Sequence, residues 1–334
     1  MINMANGDQI KAMLRAYKES DEGQLLTLAL QIAAREAKAG HGRLATEIRE
    51  LVDELKGRAT IVGHRQPIPI AQPKGELAEL VSVSYPDTRL DDLVLAHDTR
   101  QRLDRLVREQ RQSARIREHG LHPRRKLLLI GPPGTGKTMS AGALAGELSL
   151  PLFNLRLEGL FARYMGEAAT KLKLIFENVQ QVRGVYLFDE FDAIGQQRGT
   201  ANDVGEMRRI LNSFLQLVEQ DASQSLVLAA TNHPSLLDAA LFRRFDDVLH
   251  YDLPSQEAIV DLMKRRLERT GSDLDWEKLA HQAAGLSFAD VQRACDDALK
   301  ELIILGQGRV GTDPLLFAIR ERQKDHETFS ERMK

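Results

Sequence analysis

An α/β fold, with a parallel sheet covered on both faces by helices, is what this sequence predicts, and three observations carry the prediction. Between residues 127 and 251, short apolar runs of strand length alternate with longer amphipathic stretches of helix length. The runs are continuously apolar rather than apolar on every second residue, which is the pattern of strands buried on both sides. The first run, Leu127 to Ile130, stops at Gly131 and is followed by Gly136, Lys137 and Thr138, with a helix-forming segment from Ser140 to Leu148. That spacing is G-x-x-x-x-G-K-[ST] in full, in the strand, loop and helix context that a phosphate-binding loop requires. The glycines let successive backbone N–H groups turn toward phosphate oxygens, and the helix start adds partial positive charge. Lys137 would reach β- and γ-phosphates and Thr138 would hold Mg²⁺.

Composition narrows the class. A chain of 334 residues has room for two or three domains and a sizeable core. A formal charge of -2 gives no overall basic field for nucleic acid or an anionic membrane, and the cluster Arg124, Arg125, Lys126 is too short to reverse that. One cysteine, Cys295, excludes an internal disulfide framework and suits a reducing compartment. No apolar stretch approaches membrane-spanning length and the N-terminus lacks a signal-peptide core, so a cytoplasmic location is expected. The nine histidines form no H-E-x-x-H motif and no Cys/His pairing at metal-ligand spacing.

Taken in order, Gly7 to Gly57 reads as three short amphipathic helices. Ile10, Met13, Leu14 and Tyr17 share one face, Leu25, Leu28 and Ile32 the next, and Leu44, Ile48, Leu51, Val52 and Leu55 the third. Residues 1–58 are therefore expected to be a small helical bundle, which binds a partner or substrate or, as the alternative, docks on the domain that carries the phosphate-binding loop and supports subunit assembly. Periodicity is lost over residues 59–87, where Pro67, Pro69, Pro73 and Pro86 mark an extended linker. An arginine-rich helix is expected from Leu90 to Ile116. Strands follow at 152–155, 185–188, 225–230 and 248–251, separated by helices at 167–180, 204–219 and 236–242, so that residues 88–253 make the sheet domain. Beyond Pro254 the strands cease. Helices over 256–269, 276–284 and 288–305 form a lid domain, residues 254–305, and the last of them opens on a capping-box pattern, Ser287 with Asp290. Residues 306–334 are expected to add one more helix and a frayed, charged tail.

In an open parallel sheet, ligands bind at the carboxyl ends of the strands, so chemistry is sought just after each apolar run. The run from Val185 to Phe188 leads into Asp189 and Glu190. An aspartate there can hold Mg²⁺ and a neighbouring glutamate can deprotonate attacking water. Alone, the pair would read as an acidic helix start. The run ending at Ala230 leads into Thr231 and Asn232, whose neutral amide could hold the lytic water or sense the γ-phosphate. By itself, Asn232 would be a turn residue before Pro234.

With these motifs together, the chain resembles the AAA family of ATPases, close to the katanin and spastin type of protein remodeller, over about residues 88 to 303. The resemblance implies a P-loop AAA+ module with a five-stranded parallel sheet in the order 5-1-4-3-2, a helical lid, and ATP with Mg²⁺ lodged between subunits of a homo-oligomeric ring, usually a hexamer. It implies nucleotide contacts from Pro133, Gly134, Thr135, Gly136, Lys137, Thr138 and Met139, Mg²⁺ ligation by Thr138 and Asp189, and catalytic roles for Asp189, Glu190 and Asn232. Arg243 and Arg244 stand where relatives carry two arginines that reach the next subunit's ATP, with Arg244 the favoured finger. Relatives separate these arginines by Pro-Gly, and this chain does not. The alternative for the pair is a surface ion pair with Asp246 and Asp247.

Arg163, Tyr164, Met165, Gly166 and Glu167 match the segment that lines the central pore of similar remodellers. Tyr164 is the candidate that grips an extended polypeptide, with Met165 beside it; a local packing role is the alternative. Two departures matter. Ser287, Phe288, Ala289 and Asp290 replace the usual Ser-Gly-Ala-Asp, placing a ring near the expected adenine or ribose, and Ala168 and Ala169 replace the usual Ser-Glu. The expected function is ATP hydrolysis that remodels a protein partner through a ring. Alternatives are a nucleic-acid motor or loader of AAA+ type, which near-neutral charge disfavours, and an ATP-gated scaffold acting with a partner such as a protease. The N-terminal helices resemble those of small bacterial ATPases found paired with a subtilisin-like protease.

Overall fold

Along the central strands, side chains point alternately to the two faces of the sheet, and from 127 to 130, 185 to 188 and 226 to 230 every one of them is apolar. In the computed structural model, which describes residues 77–156, 167–194, 201–236, 239–270, 274–306 and 308–332 together with isolated positions before residue 77, that alternation builds two separate cores. The strands are β1 Val81–Ser84, β2 Lys126–Ile130, β3 Leu152–Arg156, β4 Val185–Asp189, β5 Leu226–Thr231 and β6 Asp247–His250. The helices that matter first are α1 Leu77–Leu80, α2 His97–Arg111, α3 Ser113–Glu118, α4 Lys137–Leu148, α5 Ala168–Gln181, α6 Ala201–Gln220 and α7 Ala239–Phe242. Leu128, Ile130, Tyr186, Phe188, Val227 and Ala229 face the layer that contains Ile175 and Phe176 of α5 and Phe214 of α6. Leu127, Leu129, Val185, Leu187, Leu226 and Leu228 face Leu103 and Leu106 of α2 and Leu144 of α4.

The sheet has six strands in the order β1-β3-β4-β5-β2-β6. Strands β2 to β6 are mutually parallel, and their order is the expected 5-1-4-3-2 read from the opposite edge. The sixth strand is a correction. Val81–Ser84 pairs antiparallel with β3, Val81 opposite Leu155 and Ser84 opposite Leu152, although it lies inside the stretch expected to be linker. Proline density concealed it: Val81 and Val83 alternate with Ser82 and Ser84 for only four residues, which is too short to stand out between proline-bearing neighbours. Compact units divide at residue 68, Met1–Ile68 and Pro69–Lys334, so this strand falls within the unit that holds the sheet. The expected three-helix bundle of residues 1–58 lies almost wholly outside the described residues.

Two helix readings also shift. The expected helix from Leu90 to Ile116 is a 3₁₀ turn at Leu90–Asp92 followed by α2 and α3, with Gln112 capping the first and opening the second. The last helix, Thr312–Arg332, continues through residues expected to fray.

The lid is built of α8 Gln256–Leu267, α9 Trp276–Gln282, α10 Phe288–Ile304 and α11 Thr312–Arg332. It has its own core of Ile259, Met263, Leu279, Val291, Ala294, Cys295, Leu315 and Ile319. The capping box at its third helix is present as expected: Ser287 Oγ accepts from Asp290 N, and Asp290 accepts from Ser287 N. None of the described helices is long and apolar enough to cross a membrane.

Candidate functional site

The carboxyl ends of β2, β4 and β5 lie side by side. Ile130 stands opposite Thr231, and Gly131 N donates to Thr231 O at 3.3 Å. The loop from Gly131 to Gly136 leaves β2 and feeds directly into α4, whose first residue is Lys137. Only glycine fits its first position, because a Cβ on Gly131 would sit 2.0 Å from the carbonyl oxygen of Tyr251 at the end of β6. Thr135 is buried, and its hydroxyl ties the loop by donating to Pro132 O at 2.7 Å. Pro133, Gly134, Thr138 and Met139 are exposed around the mouth of the loop, and Gly136 is half-buried.

Lys137 is buried, and its ammonium donates to the carbonyls of Gly131 and Pro132, each at 2.7 Å. Burial lowers its pKa from the ordinary lysine value, while the carboxylates of Asp189 and Asp192 act in the opposite direction and favour the charged form. The lysine therefore folds back over the hollow of the loop, held by two carbonyls that an arriving phosphate would replace as the charge partner.

Thr138 Oγ1 donates to Asp189 Oδ2 at 2.8 Å, which brings the hydroxyl of the loop's last residue against the carboxylate at the end of β4. The other oxygen, Asp189 Oδ1, accepts from the backbone N–H of Glu190 at 3.0 Å. Glu190 has φ 54°, a left-handed conformation that costs a non-glycine residue about 1 to 3 kcal/mol and persists where the surrounding structure over-determines the backbone. The resulting turn places an exposed glutamate directly after the aspartate. These oxygens suit a hard divalent ion of the magnesium type, which is commonly held by one or two carboxylates with substrate phosphates rather than by a protein cage. No cluster of three or more His, Cys, Asp or Glu capable of holding a metal exists among the described residues.

Sequence reasoning missed Asp192. It lies on the 3₁₀ turn Phe191–Ile194 that follows β4, is 6% exposed, and its Oδ1 accepts from Thr231 Oγ1 and from Asn232 N, both at 3.1 Å. Phe191 anchors that turn by packing on Phe214 of α6, ring centroids 4.7 Å apart. The available cue was the spacing, an aspartate three residues beyond Asp189 with an apolar residue before it.

The lid reaches the loop as well. Ala289 N, in the first turn of α10, donates to Gly134 O at 3.1 Å. Gly134 has φ 74°, and a Cβ there would lie 2.4 Å from Ser287 Oγ. The start of α10 thus rests on the phosphate loop itself, with Phe288 half-buried between two residues that approach Gly134.

Arg243 and Arg244 follow α7 and are both exposed. Arg244 forms an ion pair with Glu219 near the end of α6. The partners expected from sequence are engaged elsewhere: Asp246 accepts from the backbone N–H groups of Arg125 and Lys126 at 2.8 and 2.9 Å, and Asp247 pairs with Arg102 at 3.0 Å. Asp247 stands opposite Leu127, so the two arginines precede the amino end of β6, whereas the phosphate loop follows the carboxyl end of β2. Four to five residues of strand separate the two ends, on the order of 15 Å. Tyr164 and Met165 lie outside the described residues.

Comparison with known proteins agrees with this geometry. Residues 127–253 match the family described as "ATPase family associated with various cellular activities (AAA)". An uncharacterized AAA family ATPase, y4kL, of Sinorhizobium fredii (strain NBRC 101917 / NGR234) is 34% identical over 301 residues, 90% of each chain. The ATP-dependent zinc metalloprotease FtsH 2 of Salinibacter ruber (strain M8) is 31% identical over 257 residues, 74% of this chain but 37% of that protein. FtsH of Sulfurovum sp. (strain NBC37-1) is 32% identical over 234 residues, 67% of this chain and 35% of that protein.

Proposed function

Because the chain belongs to the AAA family of ATPases, we propose that its ATP hydrolysis takes place between subunits of a homo-oligomeric ring and drives remodelling or unfolding of a protein partner through the central pore. The observation that carries the ring is the separation of Arg243 and Arg244 from their own phosphate loop by the length of a strand. An arginine that cannot reach its own site, yet is exposed at the subunit surface, is suited to a neighbour's, where it neutralises charge developing in the transition state.

In this reading, the backbone from Pro133 to Gly136 and the start of α4 through Met139 cradle the phosphates. Lys137 moves from its two carbonyls to the β- and γ-oxygens. Thr138 and Asp189 would hold Mg²⁺, which would supply charge neutralisation for the phosphates. Glu190 takes the proton of the attacking water, and Asn232 orients that water against the γ-phosphate. Arg244 serves the adjacent subunit once released from Glu219, with Arg243 beside it. Tyr164 and Met165 grip the polypeptide, and residues 1–58 select it. A cytoplasmic setting goes with this reading.

The test is stimulation. ATPase rate is measured with a permanently unfolded protein and, separately, with single-stranded DNA. The expected result is stimulation by the protein alone, abolished in Tyr164→Ala while basal turnover persists. Stimulation by DNA alone would replace this reading with a nucleic-acid motor. A second reading draws on the names of the FtsH relatives, which describe ATP-dependent proteases: the ring delivers its substrate to a separate protease. Co-purification of a protease with a Glu190→Gln ring would favour it.

A further inference from the structure

We propose that Asp192 is the positioning residue of this ATPase, acting through Asn232. The inference rests on the reading that Asn232 contacts the lytic water or the γ-phosphate, and it assigns what holds Asn232 in place.

A side chain that orients water needs its own backbone fixed, since a shift of about 1 Å at such a position can cost a hundredfold in rate. β5 ends at Thr231, so Asn232 has no ladder to hold it. Asp192 replaces the ladder. Its Oδ1 receives the amide of Asn232 and the hydroxyl of Thr231, both at 3.1 Å. The same Thr231 hydroxyl oxygen accepts from His233 N at 3.1 Å. Asn232 is therefore held at its own amide, and both flanking residues are tied to the same relay. Bonds to a carboxylate are stronger than neutral ones, and at this depth water does not compete for them.

The turn that carries Asp192 begins two residues after Asp189, so the Mg²⁺-side and the Asn232-side of the site share one short, packed segment. Burial of Phe191 against Phe214 fixes that segment to α6. The Asp192 charge also acts on Lys137, whose ammonium it helps to keep protonated. One buried carboxylate thus holds the backbone of Asn232 and acts electrostatically on Lys137.

Steady-state kinetics and MgATP affinity are measured for Asp192→Ala, Asp192→Asn, Thr231→Val, Asn232→Ala and the double variants with Asn232→Ala, each checked for a cooperative thermal transition. Asp192→Ala is expected to lower kcat about tenfold to a hundredfold with KM changed less than about threefold, since the oriented group acts on the transition state. Asp192→Asn keeps an acceptor oxygen and is expected to recover kcat to within about fivefold of the parent. Adding Asp192→Ala to Asn232→Ala should cost no more than about twofold further, because the two act as a unit. If Asp192→Ala does not fold, Thr231→Val carries the test, with a several-fold lower kcat that disappears in the Asn232→Ala background. Parent-like turnover in Asn232→Ala would remove the reading of Asn232 and this proposal together. A slow Asn232→Ala whose loss multiplies with that of Asp192→Ala or Thr231→Val would overturn the proposal alone, leaving the role of Asn232 intact. Failure of Asp192→Asn to recover turnover would also overturn it.

Discussion

Thr138 and Asp189 are 51 residues apart in sequence, yet the threonine hydroxyl donates to the aspartate carboxylate at 2.8 Å. Strand order brings them together, because β5 alone separates β2 from β4 and the helix after the loop starts above that gap. Two oxygens suited to Mg²⁺ are in contact, and the ion would enter by taking over the hydroxyl's bond. Asp189→Asn and Thr138→Ala are therefore expected to raise the Mg²⁺ concentration needed for half-maximal turnover by about tenfold or more. A magnesium titration of ATPase rate checks this, and unchanged midpoints in both variants would exclude the pair as the ion's ligands.

Glu190→Gln is expected to bind ATP with affinity close to that of the parent while turnover falls about 10² to 10⁴-fold, the usual range for removing a general base. Asp189 Oδ1 still receives the backbone N–H of residue 190 in this variant, so the unusual backbone of the turn is retained. Single-turnover hydrolysis beside equilibrium nucleotide binding separates the two effects. A variant that neither binds nor hydrolyses would indicate that the turn itself had failed.

Arg244→Ala is expected to reduce turnover steeply without a matching loss of nucleotide affinity, because in the proposed ring the residue would act on a neighbour's transition state. Rings mixed from Arg244→Ala and Glu190→Gln subunits should regain part of the lost activity. Its ion pair with Glu219 is exposed on both sides, so breaking it costs little. Glu219→Gln should accordingly leave the fold unchanged and free the arginine. Absence of rescue in mixed rings of verified composition would count against Arg244, and the same experiment with Arg243→Ala would then assign the finger.

Gly134→Ala is expected to weaken nucleotide binding. Its new Cβ would stand 2.4 Å from Ser287 Oγ, in a backbone conformation of φ 74° that strains any L-residue. The start of α10 must then move off the loop, breaking the bond from Ala289 N to Gly134 O. A several-fold rise in the dissociation constant for a fluorescent ATP analogue, with the thermal transition of the lid preserved, is the expected outcome.

Cys295 should be inert in the native protein. Burial pushes its thiol from the ordinary 9.0 up to about 12, and the charge of Asp296 acts the same way. The folded state thus holds the proton more tightly than the unfolded state. Stability from this source is complete below about pH 9 and is lost as the pH rises toward 12. At about pH 8, alkylation is expected to follow unfolding rather than direct attack, which labelling rates across a denaturant series will show.

The sequence by itself determined the elements that depend on local pattern: the parallel strands, the phosphate loop from Gly131 to Thr138, the acidic pair after Phe188, Asn232 after β5 and the capping box at Ser287. The strands, loop and site residues follow from apolar runs and from what stands directly after them, and the cap from a serine with an aspartate three residues on, all of them properties of nearby residues. Tertiary structure decided the rest. Val81–Ser84 becomes a strand because the open edge of β3 accepts it, and nothing in four alternating residues announces that edge. Arg244 meets Glu219 instead of Asp246, which is already taken by two backbone amides of β2's approach. Asp192 reaches Thr231 and Asn232 across 39 and 40 residues, and Ala289 reaches Gly134 from the lid. These are hydrogen bonds between groups distant in sequence, and their partners are selected by which strand ends and helix starts the packed sheet brings within about 3 Å.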